Sequence, residues 1–165
     1  MSELKALSLE AIPRALEQAK QYRLLNEPEV AESVCVDILE VDADNQGALV
    51  QLLLAQTEQF ERDSHALDRA KEVLPRLEGT YQRAYYAGLA CERQAKALLK
   101  HRARKSGVAA YHWFERALEH YGRAIEERAP GDDDAILRWN TCVRMVERHP
   151  HCRPETTGRR ELGIE

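Results

Sequence analysis

Metal-capable side chains concentrate at one place in the chain, where His149, His151 and Cys152 fall within four residues. Imidazole and thiolate suit zinc, but a closed zinc site needs four ligands fixed by structure. This trio lies where helical periodicity gives out, so no metal is expected. His112 and His120 stand eight residues apart, about two helical turns, and too far for the one-turn spacing that two ligands on a helix require. A basic run, Arg93, Lys96, Lys100, His101, Arg102, Arg104 and Lys105, has Glu92 as its only acid close in sequence. Helical spacing sets Arg93, Lys96, Lys100 and Arg104 roughly in line, an arrangement suited to a phosphate backbone or another polyanion. Cations at the end of a helix also complement its dipole and stand as a solvated face. Both readings stay open, with Lys96, Lys100 and Arg104 as the alternative binding patch. No glycine-rich phosphate loop, G-x-S-x-G elbow, H-E-x-x-H pair or nucleophilic Cys-His neighbourhood can be read from the chain. The expectation is a non-enzymatic protein without catalytic residues or cofactors.

The elements that must position any such groups follow from composition. At 165 residues the chain has the length of one domain. Hydrophobic residues make up 44% and charged residues 32%, which excludes the signature of disorder. A mean hydropathy of -0.57 argues against membrane spans. Two Phe and few β-branched residues stand against many Ala, Leu, Glu, Arg and Gln, so propensities sum toward helix. The first 25 residues contain Glu3 and Glu10 and no uninterrupted apolar run, unlike a signal peptide or a membrane helix, so a cytoplasmic location is expected. Cys35, Cys91, Cys142 and Cys152 form no C-x-x-C pair and read as reduced core residues. A net charge of -4 disfavours nucleic acid and anionic membranes as partners.

Apolar residues recur at helical spacing in seven segments. Ile12, Ala15, Leu16, Ala19 and Tyr22 mark the first; Ala31, Val34, Cys35, Ile38 and Val41 mark the second. Between them Asn26, Pro28 and Glu29 have the pattern of a capping box opening the second helix. Leu49, Leu52, Leu53 and Phe60 follow the Asp44-Asn45 break, and Ala66, Leu67, Ala70, Val73, Leu74 and Leu77 follow Asp63-Ser64. Gly79-Thr80 separates these from a long fifth helix, Tyr81 to about Arg104. A sixth begins after Ser106-Gly107 and ends at Pro130-Gly131; a seventh runs from Ala135 to about Arg148 with Asp132 to Asp134 at its positive end. Residues 149–165, with Pro150, Pro154, Gly158 and Gly163, read as a mobile tail.

Overlaying the hairpins reveals a period. Ala19, Leu53 and Gly88 are separated by 34 and 35 residues, and Ala31, Ala66 and Ala117 align on the second helices, as do Cys35, Ala70 and Tyr121, then Ile38, Val73 and Ala124. The third hairpin is longer by about two turns on each helix, around residues 97 to 113. With its small residues where paired helices touch, this pattern resembles the tetratricopeptide repeat family, most clearly in Tyr86 to Cys91, Ala117 to Ile125 and Ala31 to Asn45. The large aromatic that the family carries early in each first helix is replaced by Ala15, Leu49 and Ala84, and its terminal Pro by Ala43, Glu78 and Ala129. The resemblance implies an all-α, right-handed helical-repeat stack in residues 1–148, with hairpins at about 12–42, 45–78 and 80–129 and a capping helix at 135–148.

A stack of that kind carries a concave groove on its first helices, and the projection puts Tyr85, Tyr86, Leu89, Arg93, Arg138 and Trp139 on it. Aromatics beside arginine suit a protein or peptide partner. The competing reading packs Trp139 and one tyrosine against the extra turns of the fifth and sixth helices, or against the tail. Family members that grip a C-terminal carboxylate use Lys, Arg and Asn on successive first helices; the comparable positions here hold Lys20, Leu54 and Leu89, and only Arg23, Arg93 and Arg138 offer positive charge nearby, so that clamp is not expected. The expected role is that of an adaptor binding a peptide or helix, with self-association through apolar end surfaces as a further possibility.

Overall fold

The computed structural model describes residues 2–101 and 104–154, the side chain of Arg104 excepted. Among these residues seven α-helices follow one another without a strand: α1 (Ile12–Leu24), α2 (Pro28–Val41), α3 (Gln46–Thr57), α4 (Ala66–Val73), α5 (Thr80–Lys100), α6 (Arg104–Glu127) and α7 (Asp134–Arg148). Short 3-10 turns at Leu9–Ala11, Leu74–Arg76 and Pro150–Cys152 flank α1, α4 and α7. Each helix packs chiefly on its neighbours in the chain, α1 on α2, α2 on α3, α3 on α4, α5 on α6 and α6 on α7. The odd-numbered helices also touch, α1 with α3, α3 with α5 and α5 with α7. No helix among the described residues is long and apolar enough to cross a membrane.

Local chemistry explains several of the helix ends. Pro13 and Pro28 sit in first turns, where a missing amide hydrogen costs nothing. Asn45 caps α3, its Oδ1 accepting from the Ala48 amide at 2.9 Å. Asn26, expected to open α2, instead closes α1. It adopts φ +60°, its neighbour Glu27 donates to the Tyr22 carbonyl at 2.8 Å, and no side-chain cap is made at the start of α2. Asparagine tolerates the left-handed region, which lets the chain reverse while the last carbonyls of α1 stay bonded.

The break expected at Ser106-Gly107 lies inside α6, and α5 ends earlier, at Lys100. Gly107 is buried because Cys152 packs onto it, with Sγ 3.0 Å from where a β-carbon would stand. The glycine therefore serves a close approach between α6 and the Pro150–Cys152 turn. The first residues of the stretch read as a tail are thus placed against α6, with Cys152 buried. Residues 155–165 of that expectation, and Arg102 in the basic run, lie outside the described residues.

Burial is heaviest around α3, where Ala48, Leu49, Gln51, Leu52, Leu53, Ala55, Gln56 and Thr57 are all buried. A helix apolar on every side must be enclosed by other helices, and α3 has α1, α2, α4 and α5 around it. Its core side chains join Ala19, Cys35, Ala70, Val73 and Leu77 in one cluster. Leu89, Ala95, Phe114, Ala117, Tyr121 and Cys142 belong to a second, shared by α5, α6 and α7. Each fully buried Leu or Phe in these clusters contributes roughly 1.5–3 kcal/mol relative to its exposed state.

A candidate recognition face on the odd-numbered helices

Arg23 near the end of α1 reaches across to α3, where its guanidinium grips Glu58. Nη2 donates to Oε1 at 2.6 Å and Nε bonds both carboxylate oxygens at 3.1 and 3.2 Å. Nη1 donates to Gln51 Oε1 at 2.7 Å. From the other side, Arg93 of α5 donates to Thr57 Oγ1 at 2.7 Å, to the Leu54 carbonyl at 3.3 Å and to Glu58 at 3.3 Å. Two arginines on different helices thus share one carboxylate at the C-terminal end of α3, where the helix dipole also favours cations. Burial, opposed by Glu58 but reinforced by the charges of Arg23 and Arg138, lowers the Arg93 pKa from its ordinary value.

Next to Arg93 in sequence, Glu92 is completely buried and turned toward α6 and α7. The Tyr121 hydroxyl donates to its Oε2 at 2.7 Å, while Arg138 of α7 at 3.3 Å and Lys96 one turn along α5 hold Oε1. Three donors compensate the desolvation of a carboxylate that would be prohibitive alone. Burial, then the Glu92 carboxylate, raises the Tyr121 pKa, so the phenol stays a donor. Arg138 and Lys96 remain about one-third exposed, so the carboxylate is hidden and its cations face outward.

Tyr85 and Tyr86 adjoin this cluster. Their rings meet edge to face with centroids 5.1 Å apart, and Tyr85 further contacts Tyr81 at 5.9 Å and Tyr121 at 6.0 Å. Tyr86 is half-buried and borders a hollow of about 430 Å³ with Leu16, Val50 and Gln82. Burial, chiefly, raises its pKa above the ordinary value.

Of the residues projected onto one groove, Tyr85, Tyr86, Arg93 and Arg138 therefore lie together, and two do not join them. Leu89 is only 2% exposed and belongs to the α5–α7 core, because the same turn of α5 that presents Tyr86 points residues 88, 89 and 92 at α6 and α7. Trp139 sits on the α6 side of α7, over Gly122, and borders a shallow hollow with Leu118, Glu119 and Arg123. The absent side chain at 122 makes room for the indole. Arg23, read from the sequence as one of the cations near the groove, lies here; sequence reading missed its partners Glu58 and Gln51, which stand 35 and 28 residues away and leave no local pattern.

The basic run looks different in space. Arg93 is bonded to Glu58, Lys96 to Glu92, and Lys100 to Glu61 at 2.5 Å. Acids from the end of α3 lie beside cations that had one acid near them in sequence. The side chain of Arg104 lies outside the described residues. At the other end of the chain His149 Nδ1 donates to the Met145 carbonyl, 2.8 Å away, and among the described residues no three His, Cys, Asp or Glu side chains are placed to hold a metal ion together.

Comparison of the chain with models of known protein families, with curated proteins and with solved structures found no match.

Proposed function

We propose that this chain is a non-enzymatic adaptor of the tetratricopeptide-like kind, its hairpins stacked as repeats with α7 as the cap, and that it takes an acidic peptide segment along the face shared by α1, α3, α5 and α7. The observation that supports this reading is the convergence of Arg23, Arg93 and Arg138 from three helices on two carboxylates, one of which is wholly buried and also holds Lys96. Arg23, Arg93, Lys96 and Arg138 share the two carboxylates of Glu58 and Glu92, and Tyr85 and Tyr86 add amphipathic area beside them. Peptide carboxylates approaching this face meet guanidinium forks suited to bidentate bonding.

An array of acidic, neutral and basic peptides, probed with the intact chain, tests the reading. Preferential capture of acidic peptides is expected, weakening as salt is raised. Arg138→Gln leaves Glu92 its bonds to Tyr121 and Lys96, and is expected to weaken capture on the order of tenfold, as loss of a charge-assisted hydrogen bond does. Arg144→Gln, on the exposed side of α7, removes the same charge and is expected to change nothing. Capture without charge preference, or equal loss in both variants, would remove the proposal.

A further inference from the structure

Packing within the molecule falls into two groups. α1 to α4 share the cluster around Leu49, Leu53 and Leu77, and α5 to α7 share the one around Leu89, Phe114 and Tyr121. Between the groups the contacts thin out. α2 runs along α3, and α5 along α6, whereas α3 and α4 each meet α5 over only a few residues. Two half-buried apolar side chains cross the seam in opposite directions, Leu54 of α3 into the second cluster and Tyr86 of α5 into the first.

The other contacts named across the seam are polar. Arg93 bonds the Leu54 carbonyl, Thr57 and Glu58; Lys100 pairs with Glu61; Arg83 donates to the Leu77 carbonyl at 2.8 Å. A hollow opens on each side, the one at Tyr86 and a larger one of about 600 Å³ bordered by Pro75, Ala84, Ala87 and His120. The chain passes between the groups through Glu78, Gly79 and Thr80, all exposed. Gly79 has φ +82°, and only Gln82 Cγ approaches within 4.0 Å of where its β-carbon would stand. Such a residue can change its dihedrals without striking neighbours.

We propose that this seam is a hinge, about which α1–α4 and α5–α7 swing on Glu78 to Thr80, and that Glu58 and Glu61 latch the closed state through Arg93 and Lys100. Within each half the apolar clusters resist deformation, since interdigitated cores shift as units. Across the seam little apolar area opposes movement, and ion pairs that are partly solvated hold it in a salt-dependent way. Opening releases Arg93 from Glu58 and widens the face between α1 and α7. The hinge does not depend on what binds that face.

Spin-label distance measurements on the full chain test it. One pair spans the seam, on Glu40→Cys and Arg144→Cys; two control pairs stay within the halves, Glu40→Cys with Asp68→Cys and Glu115→Cys with Arg144→Cys. All these sites are exposed and Cys35, Cys91 and Cys142 are buried in the two cores; each pair is built on a Cys152→Ser background, so that only the introduced thiols take the label. Raising salt to ~1 M, where the Debye length falls to about 3 Å, is expected to broaden or lengthen the seam-spanning distribution and leave both controls as they were. The double variant Glu58→Gln, Glu61→Gln is expected to do the same at low salt. If that variant fails to fold, the salt series on the seam-spanning pair with Glu58 and Glu61 intact decides alone. A seam-spanning distribution as narrow and as insensitive to salt as the controls overturns the hinge.

Discussion

The ring of Tyr121 occupies the space that a side chain at Gly88 would need: a β-carbon there would stand 2.7 Å from Cδ1 and 2.8 Å from Cε1. α5 and α6 can approach this closely only because one helix offers bare backbone to the flat face of a ring on the other. Tyr121 cannot withdraw, being fully buried and tied to Glu92 by its hydroxyl. Gly88→Ala gains up to about 1 kcal/mol of helix propensity, yet forces the ring off its site at a cost of roughly 1–3 kcal/mol. Net destabilisation is expected, read as a lower urea midpoint with an unchanged slope.

Tyr121→Phe keeps the ring and removes the hydroxyl, leaving Glu92 Oε2 buried without its partner at 2.7 Å. An orphaned buried acceptor costs about 1–3 kcal/mol, more where it is charged. The variant is expected to lose stability in that range at neutral pH. Adding Glu92→Gln is expected to cost less than the sum of the two single changes, because the neutral amide tolerates the missing donor better. A double-mutant cycle measures the difference.

How much of this was legible in the sequence depended on range. The helices could be read because a 3.6-residue apolar period is written within each segment, and Asn45 and Gly79 punctuate the chain where the pattern suggested. Asn26 misled because the same side chain that caps a helix also accepts the left-handed conformation that ends one. Gly107 misled because its reason for being glycine is Cys152, 45 residues later. On the candidate face, Tyr85, Tyr86, Arg93 and Arg138 share helix faces that spacing reveals. Arg23 could also be read near the groove, but its pairing with Glu58 depends on the way α1, α3 and α5 meet, which spacing within one helix does not encode. The same holds for the basic run, neutralised by Glu58 and Glu61 from another helix.

A second, partly buried network binds α2, α3 and α4 at Glu32, which accepts from Gln59 at 2.6 Å, Gln56 at 3.2 Å and Arg69 at 3.0 Å. Both glutamines are buried; Glu32→Ala strands the Gln56 amide, while Gln59 keeps its bond to the Ala55 carbonyl at 3.2 Å and Arg69 loses one of its two carboxylates. A loss of roughly 1–3 kcal/mol is expected. Arg69 keeps Asp63 at 2.8 Å, and its hydrogen bond holds the Asp63 pKa below the ordinary value. That contribution is present at neutral pH and disappears as pH falls through the depressed pKa. Asp63→Asn is therefore expected to flatten the dependence of the urea midpoint on acid pH.

The thiols report on the same architecture at alkaline pH. Burial, the leading cause in each case, pushes Cys35 and Cys142 up to about 12 and Cys91 to about 11, from an ordinary value of 9.0. In the unfolded chain they ionise near 9, so above that pH the folded state binds more protons than the unfolded state does. Stability is accordingly complete below pH 9 and falls as pH rises from there toward 12, by as much as about 1.4 kcal/mol per pH unit for each thiol. Cys142→Ala is expected to lessen that slope between pH 9 and 10.5, in urea melts against the wild type. The thiolate is the reacting species, so a disulfide reagent at pH 8 is expected to modify these three only as fast as the chain unfolds globally. Cys152 rests on α6 in a short 3-10 turn next to the chain's last described residues. Local opening of that turn exposes it without disturbing either core, and it is expected to react first, in a phase independent of denaturant. Four thiols reacting at one rate would mean that the turn opens only with the whole fold.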